Sequence, residues 1–189
     1  MEYIYEARDI IPRTLCEEII EKFENDPNKF KGQVGKDVIK LEIKKTIDLS
    51  LHKYMDWKPI NDIVEKLLVS TLDTYFNYMI QVVFNGSDSI VRQMFSQNID
   101  VSGFQLQKYS VGDFFHWHVD DKLIEKRILA FILYLNDNES CTEFLNGKLC
   151  TPETGKILFF PATWTYTHRG QIIQHGTKYI ITGFINECI

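Results

Sequence analysis

Residues 104–109 read Phe-Gln-Leu-Gln-Lys-Tyr, a stretch in which apolar and polar side chains largely alternate. Residues 128–135 follow with Ile-Leu-Ala-Phe-Ile-Leu-Tyr-Leu, and shorter β-branched and aromatic runs occupy residues 156–160 and 178–185. Turn-forming residues separate these runs. Several short strands at this spacing are typical of a β-sandwich or barrel. We therefore predict that the second half of the chain folds as a barrel with helices packed on its outside.

The first half of the chain has a helical pattern instead. Apolar residues at positions 15, 19, 20 and 23 share one helical face, and this helix should end near residues 25–27. Thr14 is the expected N-cap, with Glu17 as its capping-box partner. Residues 57–84 show the same periodicity and predict a second helix. Residues 38–43 suit a strand, and the polar residues 85–98 suit a loop.

Composition excludes several classes of protein. The chain has 189 residues, 44% of them hydrophobic and 25% charged, which suits one globular domain over residues 1–189. It contains no run of roughly 18 apolar residues and no signal-peptide pattern, so we expect a cytoplasmic protein without a membrane partner. Four cysteines without a CxxC pair indicate reduced thiols. A net charge of −5 makes nucleic acid an unexpected partner.

Residues 115–121, Phe-His-Trp-His-Val-Asp-Asp, contain the strongest chemical signal. On a strand, residues two apart face the same side, so His118 and Asp120 would present an imidazole beside a carboxylate. A histidine from another strand would complete a 2-His-1-carboxylate site of the kind that holds Fe(II) in non-haem oxygenases. His116 shares the same face and is a rival ligand. An isolated His-x-Asp triplet is also a common surface feature.

The C-terminal part strengthens the metal hypothesis. His168 is followed by glycines at positions 170 and 176 and by Lys178, so a histidine on one strand precedes a cation on the next. His168 would complete the triad. A buried lysine needs an anionic partner, and a dicarboxylate bound to the metal would supply one.

Taken together, these motifs resemble a known family. Their order is Tyr109-x-x-Gly112-x-x-Phe115-x-x-His118-x-Asp120, then Arg127 leading into Tyr-Leu-Asn-Asp at 134–137, then Gly155 to Phe160, and finally His168-x-Gly170-(x)5-Gly176-x-Lys178-Tyr179. Over about residues 105–185 the sequence resembles the Fe(II)- and 2-oxoglutarate-dependent dioxygenases, and within them the prolyl 4-hydroxylase-like branch.

The resemblance implies an α+β fold, a double-stranded β-helix (jelly-roll) core with N-terminal helices packed on its larger sheet. Residues 1–100 would be helical support and substrate-side loops, and residues 101–189 the barrel core. It implies His118, Asp120 and His168 as iron ligands and Lys178 as the partner of the distal carboxylate of 2-oxoglutarate. The expected further cosubstrate contacts are Tyr109, Tyr134 and Thr182, and the expected substrate contacts are Gln105, Gln107, Trp164 and Arg169.

The implied activity is hydroxylation of a C–H bond with Fe(II), 2-oxoglutarate and O2, and with ascorbate as a candidate reductant. The first expected substrate is a peptidyl proline of a peptide or protein. The alternatives are a free amino acid or other small molecule, or a non-catalytic metal-binding barrel. One departure bears on this choice: residues 139–144, Glu-Ser-Cys-Thr-Glu-Phe, lack the Gly-Gly that the family often has there. We expect this loop to border the substrate side, which weakens the case for a prolyl substrate.

Overall fold

A computed structural model describes residues 3–35, 38–95, 99–121 and 126–187. The helices and strands are, in chain order, β1 (Tyr5–Ala7), α1 (Arg13–Asn25), β2 (Phe30–Lys31), β3 (Lys44–Lys45), β4 (Ile47–Ser50), α2 (Lys58–Tyr78), α3 (Asp88–Met94), β5 (Ile99–Val101), β6 (Gln105–Tyr109), β7 (Phe114–His118), β8 (Arg127–Tyr134), β9 (Thr142–Phe144), β10 (Leu149–Cys150), β11 (Ile157–Pro161), β12 (His168–Gly170) and β13 (Lys178–Glu187). A π-helical segment, Met79–Val83, continues α2.

The strands form two antiparallel sheets. The large sheet has the order β1-β11-β8-β13-β6-β4-β2, with β5 also paired to β13. The small sheet has the order β10-β9-β12-β7-β3. Non-consecutive strands are neighbours in both sheets, as in a jelly roll, and helices accompany the sheets. The predicted α+β double-stranded β-helix is therefore confirmed.

The helices pack on the outer face of the large sheet. Phe23 of α1 and Tyr75 of α2 belong to one buried cluster with Phe131 and Phe159, which project outward from β8 and β11. The rings of Tyr75 and Phe159 stack with their centroids 5.6 Å apart. Deleting a buried aromatic side chain of this kind typically costs about 3–5 kcal/mol. The helices therefore stabilise the outer face of the large sheet, and the inner face remains available for the site.

Both predicted N-terminal helices are confirmed, although the predicted cap is wrong. α1 spans Arg13–Asn25 with Pro12 at the N-cap position, and no side chain makes a capping hydrogen bond there. Thr14 lies inside the first turn. The backbone amides of Leu15 and Cys16 donate instead to the carbonyl of Pro12. The fixed φ of proline suits the start of a helix, which explains why a threonine cap is not needed.

Two local predictions in the first hundred residues are wrong. Residues 41–43 form a turn, and the strands lie later, at Lys44–Lys45 and Ile47–Ser50. Three of the apolar side chains that suggested a strand, Val38, Ile39 and Leu41, are about half exposed to solvent. They therefore do not form the buried face that a strand of the sheet would need. The region predicted as a loop contains α3, which buries Val91; residues 96–98 lie outside the described residues.

The first hundred residues also contribute strands to both sheets, through β1, β2 and β4 in the large sheet and β3 in the small one. Among the described residues, no helix is both long enough and apolar enough to cross a bilayer. Cys16, Cys141 and Cys150 are buried and unpaired, and Cys188 lies outside the described residues.

Candidate active site

The small sheet brings His118, Asp120 and His168 together. His118 ends β7, Asp120 follows two residues later, and His168 begins β12 directly opposite His118 in the antiparallel register. One ligand atom from each of the three side chains lies within 4.8 Å of the others. Two ligands thus come from one chain segment and the third from its neighbouring strand, which is the arrangement that the sequence spacing predicts.

The two imidazoles are oriented by their own backbone. Nδ1 of His118 lies 2.8 Å from the carbonyl oxygen of His116, and Nδ1 of His168 lies 3.0 Å from that of Tyr166. Because a carbonyl can only accept, each Nδ1 carries the proton and each Nε2 presents its lone pair. This is how metal-binding histidines are usually held.

The distances inside the triad suit an ion better than direct hydrogen bonds. Nε2 of His118 and Nε2 of His168 each lie 3.7 Å from a carboxylate oxygen of Asp120, which is beyond hydrogen-bond range. Nitrogen and oxygen ligands bind a divalent ion at about 2.0–2.2 Å, so one ion between these atoms can contact both partners. The donor set, two neutral imidazoles and one carboxylate, fits Fe(II).

Electrostatics favour the metal-ready form of His118. Burial, and then electrostatic interaction with the nearby His168, lower the pKa of His118 well below its ordinary value. Its ring also stacks on Phe115, with 3.6 Å between centroids. His118 is therefore neutral and fixed in place near pH 7. The rival His116 is exposed, as is His175, and neither joins the triad.

A cavity of about 380 Å³ opens from the triad between the two sheets. The large sheet supplies most of its polar wall, through Gln105, Gln107, Tyr109, Lys178 and Thr182. Apolar side chains such as Ile132, Phe160 and Ile180 cover the rest of the inner surface. The volume is far larger than one metal ion needs and is in the range of small-molecule sites.

Lys178 is a buried cation in the cavity wall. Its side chain is 2% exposed, its Nζ donates to the carbonyl of Ser140 at 3.0 Å, and the Tyr109 ring lies below it at 4.9 Å. Within the described residues no Asp or Glu lies within ion-pair distance of it. Burial consequently lowers the pKa of Lys178 to about 8. An ammonium in this position is poised for an anion that enters the cavity.

Two of the other three predicted cosubstrate contacts line the cavity, and the third does not. Tyr109 lines the cavity and donates from its hydroxyl to Gln107 Oε1 at 2.9 Å, and burial holds the pKa of that hydroxyl well above its ordinary value. Thr182 lines the cavity, with its hydroxyl donating to the carbonyl of Phe131. Tyr134 is buried behind the wall. Its hydroxyl donates to Thr142, which does line the cavity.

The predicted substrate contacts divide into two pairs. Gln105 and Gln107 face the cavity, as their shared strand face with Tyr109 predicts. Trp164 is 74% exposed and lies outside the cavity lining. Arg169 pairs with Glu143 at 2.8 Å and also lies outside it. Arg169 follows His168 on β12, and neighbouring residues of a strand point to opposite faces. Contact of Trp164 and Arg169 with substrate stays a prediction.

The loop without the family's glycines lies next to Lys178. The carbonyl of Ser140 accepts the hydrogen bond from Lys178, and Thr142, which accepts from Tyr134, lines the cavity. That this loop also borders the substrate stays a prediction.

Sequence reasoning missed two cationic residues of the cavity wall as site residues. Arg127 begins β8, donates to the carbonyl of Asp120 at 3.2 Å and lies over the Phe184 ring at 3.5 Å. Its place nine residues after His118, at the start of an apolar strand, was the available signal. Lys44 of β3 lines the cavity as well. No pattern indicated it, since the strand was predicted several residues too early.

Comparison with known proteins agrees with this geometry. Residues 104–186 match the family model described as the 2OG-Fe(II) oxygenase superfamily. No curated protein sequence shows significant similarity to the chain. The resemblance to Fe(II)- and 2-oxoglutarate-dependent dioxygenases is confirmed by the matched segment, which contains the triad and Lys178.

Solved structures share the whole fold at low sequence identity. A viral collagen prolyl hydroxylase from Paramecium Bursaria Chlorella virus-1, in complex with 2OG, is 15% identical with a TM-score of 0.71, over 100% of this chain and 97% of that one. A Trichoplax adhaerens prolyl hydroxylase bound to a hypoxia inducible factor peptide fragment is 14% identical with a TM-score of 0.72, over 97% and 83%. A Pseudomonas putida prolyl-4-hydroxylase is 14% identical with a TM-score of 0.66, over 99% and 94%.

Proposed function

We propose that this chain, whose residues 104–186 match the family model of the 2OG-Fe(II) oxygenase superfamily, hydroxylates a peptidyl proline with the help of Fe(II) and 2-oxoglutarate. The single observation that carries the proposal is the pairing of two features in one cavity. The cavity wall contains a histidine–carboxylate–histidine triad, and it also contains a buried lysine for which the described part of the chain supplies no carboxylate partner.

His118, Asp120 and His168 would hold the iron. Their backbone-anchored imidazoles keep both Nε2 lone pairs turned toward Asp120, so little reorganisation is needed on binding. Three protein ligands leave coordination positions open for cosubstrate and O2. When bound there with 2-oxoglutarate and O2, iron would supply the oxidising power for inserting one oxygen atom into a C–H bond, with 2-oxoglutarate converted to succinate and CO2.

Lys178 would bind and orient 2-oxoglutarate. Its ammonium is fixed by the Ser140 carbonyl and the Tyr109 ring, so it offers a preformed site for the distal carboxylate. Tyr109, Thr142 and Thr182 would line the cosubstrate with hydroxyl groups. The apolar side chains Ile132, Phe160 and Ile180 line the same cavity and would limit access of water to the bound cosubstrate.

The substrate class rests on the neighbours and on the shape of the cavity. Two of the similar structures are a collagen prolyl hydroxylase and a prolyl hydroxylase holding a peptide fragment. In this chain the cavity extends to Gln33, Val34 and Gly35 at one side and to the 43%-exposed Val119 at another, so it reaches the surface. A peptide could lie across this opening with one side chain directed inward.

The remaining proposals follow from the same features. Residues 1–189 act as one domain, because strands from the first hundred residues complete both sheets. Ascorbate serves as a reductant, as the family resemblance implies. The unpaired buried cysteines at positions 16, 141 and 150 support a reducing, cytoplasmic setting.

The direct test is a turnover assay with purified protein, Fe(II), 2-oxoglutarate and O2. The peptides are a collagen-like peptide of Gly-Pro-Pro repeats and its proline-to-alanine analogue. We expect succinate formation, with a mass gain of one oxygen atom on the proline peptide and none on the analogue. Succinate formation that responds only to free amino acids would assign the enzyme to a small-molecule substrate. A protein that binds iron but forms no succinate under any condition would be a metal-binding barrel.

A further inference from the structure

Lys44 is a second buried lysine of the cavity wall, and its charge is already balanced. Its Nζ donates to Asp48 Oδ2 at 2.6 Å, and the two side chains are 3% and 1% exposed. The other carboxylate oxygen of Asp48 accepts from the Thr46 hydroxyl at 2.7 Å. β3 of the small sheet and β4 of the large sheet are thus joined by a neutral ion pair at the edge of the cavity.

The ammonium of Lys44 has more donors than partners. An ammonium carries three N–H donors. In the part of the chain that the structure describes, Asp48 is the sole hydrogen-bond acceptor of Lys44, and the Phe115 ring offers only its face at 5.3 Å. Buried donors are nearly always satisfied, by protein, water or ligand. The remaining donors of Lys44 therefore need an acceptor, and the cavity is where one can enter.

The position of Lys44 places that acceptor beside the reacting centre. Phe115 lies opposite Lys44 in the strand register and stacks on the ring of His118. One aromatic ring therefore separates the ammonium from an imidazole of the triad. Lys178 lies on β13 of the large sheet, whereas Lys44 lies on β3 of the small sheet. A group bound at Lys44 is consequently held by a different wall from the one that carries Lys178.

Charge determines which kind of acceptor fits. A carboxylate at Lys44 would have to share the ammonium with Asp48, and two carboxylates in a buried site repel each other. A neutral carbonyl oxygen satisfies the free donor and adds no charge. The requirement for one uncharged acceptor near the triad matches a peptide group and excludes the carboxylate of a free amino acid.

We propose that Lys44, held by Asp48, is a specificity-determining residue that donates a hydrogen bond to a backbone carbonyl of the peptide substrate next to the hydroxylated residue. This inference rests on the proposed prolyl hydroxylase function. It adds a residue from the N-terminal third of the chain to the substrate site and explains why a charged pair is buried there.

The test compares Lys44→Met with Lys45→Met. Lys45 is the next residue of the same strand, lies outside the cavity lining and pairs with Asp113 at 2.9 Å, so it controls for the loss of a lysine from β3. Because Lys44→Met leaves Asp48 buried without its cation, Lys44→Met/Asp48→Asn is made alongside it. Steady-state kinetics with the Gly-Pro-Pro peptide, the Kd for 2-oxoglutarate and succinate formation without peptide are measured for each.

We expect both Lys44 variants to raise KM for the peptide about tenfold or more, the effect of losing one charge-assisted hydrogen bond. The Kd for 2-oxoglutarate and the peptide-independent succinate formation should remain at wild-type values, as should every parameter of Lys45→Met. A merely structural role would lower thermal stability without moving KM selectively.

Two results would overturn the inference in distinguishable ways. If the wild-type protein hydroxylates the peptide and the folded double variant has a wild-type KM, Lys44 does not contact substrate and the proposed function stands. If the wild-type protein forms the iron and 2-oxoglutarate complex but neither binds nor hydroxylates any peptide, the peptidyl-proline proposal fails and the role of Lys44 fails with it.

Discussion

The two faces of the large sheet are built from the same strands and carry different tasks. On β13, Tyr179 and Ile181 point outward into the helix-covered core, whereas Lys178, Ile180 and Thr182 face the cavity. The outer face is a closed apolar cluster that contributes stability. The inner face buries several polar groups, among them a lysine that has no carboxylate partner in the described ranges. Side chains alternate between the two faces of a strand, so neighbouring residues of β13 have different roles: one stabilises the fold and the next lines the cavity.

Two buried lysines show the same division. Lys156, 1% exposed, contacts carboxylate oxygens of both Glu6 and Glu153 at 2.8 Å and ties the N-terminal strand to the barrel. Lys178, buried to the same degree, has a backbone carbonyl and an aromatic ring as its neighbours. A structural lysine is satisfied within the fold. Because Lys178 has no carboxylate partner among the described residues, it is suited to bind an anionic ligand.

The largest expected effect is on the inner side, at the metal triad. His118→Ala should reduce iron affinity and 2-oxoglutarate turnover by more than about a hundredfold, because even orienting residues of metal sites are worth 10–100-fold. His116→Ala is the matched control, since that histidine lies two residues away and is exposed. Iron binding and succinate formation are measured for both. Equal losses in the two variants would contradict the assignment of His118.

The second largest effect is expected on the outer face of the large sheet. Phe159→Ala should lower the free energy of unfolding by about 3–5 kcal/mol, because it leaves a cavity against Tyr75 and Phe131. Denaturant unfolding measures the loss. The Kd for 2-oxoglutarate of the fraction that remains folded should be unchanged. A variant with wild-type stability and weakened 2-oxoglutarate binding would reverse the roles given to the two faces.

Lys178→Met separates binding from stability at a single residue. Removing the ammonium should raise the Kd for 2-oxoglutarate on the order of a hundredfold, since an anion would then lie buried without its cation. The free energy of unfolding without ligand should not fall, because an unpaired buried charge is replaced by an apolar side chain.

Lys156→Met provides the opposite result for comparison. It should lower the free energy of unfolding by about 1–3 kcal/mol, because hydrogen bonds to Glu6 and Glu153 are lost. Its Kd for 2-oxoglutarate should equal that of the wild type. Isothermal titration and denaturant unfolding are measured for both methionine variants. Weakened 2-oxoglutarate binding in Lys156→Met, or a lower free energy of unfolding in Lys178→Met, would contradict these assignments.

The smallest effect is on pH dependence. Because burial lowers the pKa of Lys178 to about 8, the ammonium form predominates below that pH and the neutral amine above it. The affinity for 2-oxoglutarate should therefore be full below about pH 8 and fall with rising pH, by up to about tenfold per unit above it. Titrations from pH 6.5 to 9.5 test this, with Lys178→Met as a variant whose affinity stays flat. An affinity for 2-oxoglutarate that rises with pH would contradict the role given to the Lys178 ammonium.

The sequence predicted the parts of the molecule that periodicity governs. The strands containing Leu106, Phe131 and Ile181 were recognisable as short runs rich in β-branched and aromatic residues, and the two long helices by apolar residues at helical spacing. The grouping of His118, Asp120 and His168 was predictable because residues two apart in an extended chain face the same side, although Asp120 lies just beyond the end of β7.

The remaining features depend on long-range packing. β3 is a two-residue strand that forms only because β7 pairs with it, so local propensity does not mark it, and Lys44 could not be placed in the cavity. Arg169 was expected to contact substrate but pairs with Glu143, a contact set by the β9–β12 register. The start of α1 follows from Pro12, where side-chain capping rules favoured Thr14.

The most direct test of the central claim is an anaerobic titration of the purified protein with Fe(II) and then 2-oxoglutarate, monitored by visible absorption, with His118→Ala and Lys178→Met alongside. We expect the weak charge-transfer absorption of an iron-chelated 2-oxo acid in the wild type. It should be absent in His118→Ala, and in Lys178→Met it should require on the order of a hundredfold more 2-oxoglutarate. A folded, iron-loaded wild-type protein that develops no such absorption would contradict the oxygenase account of this cavity.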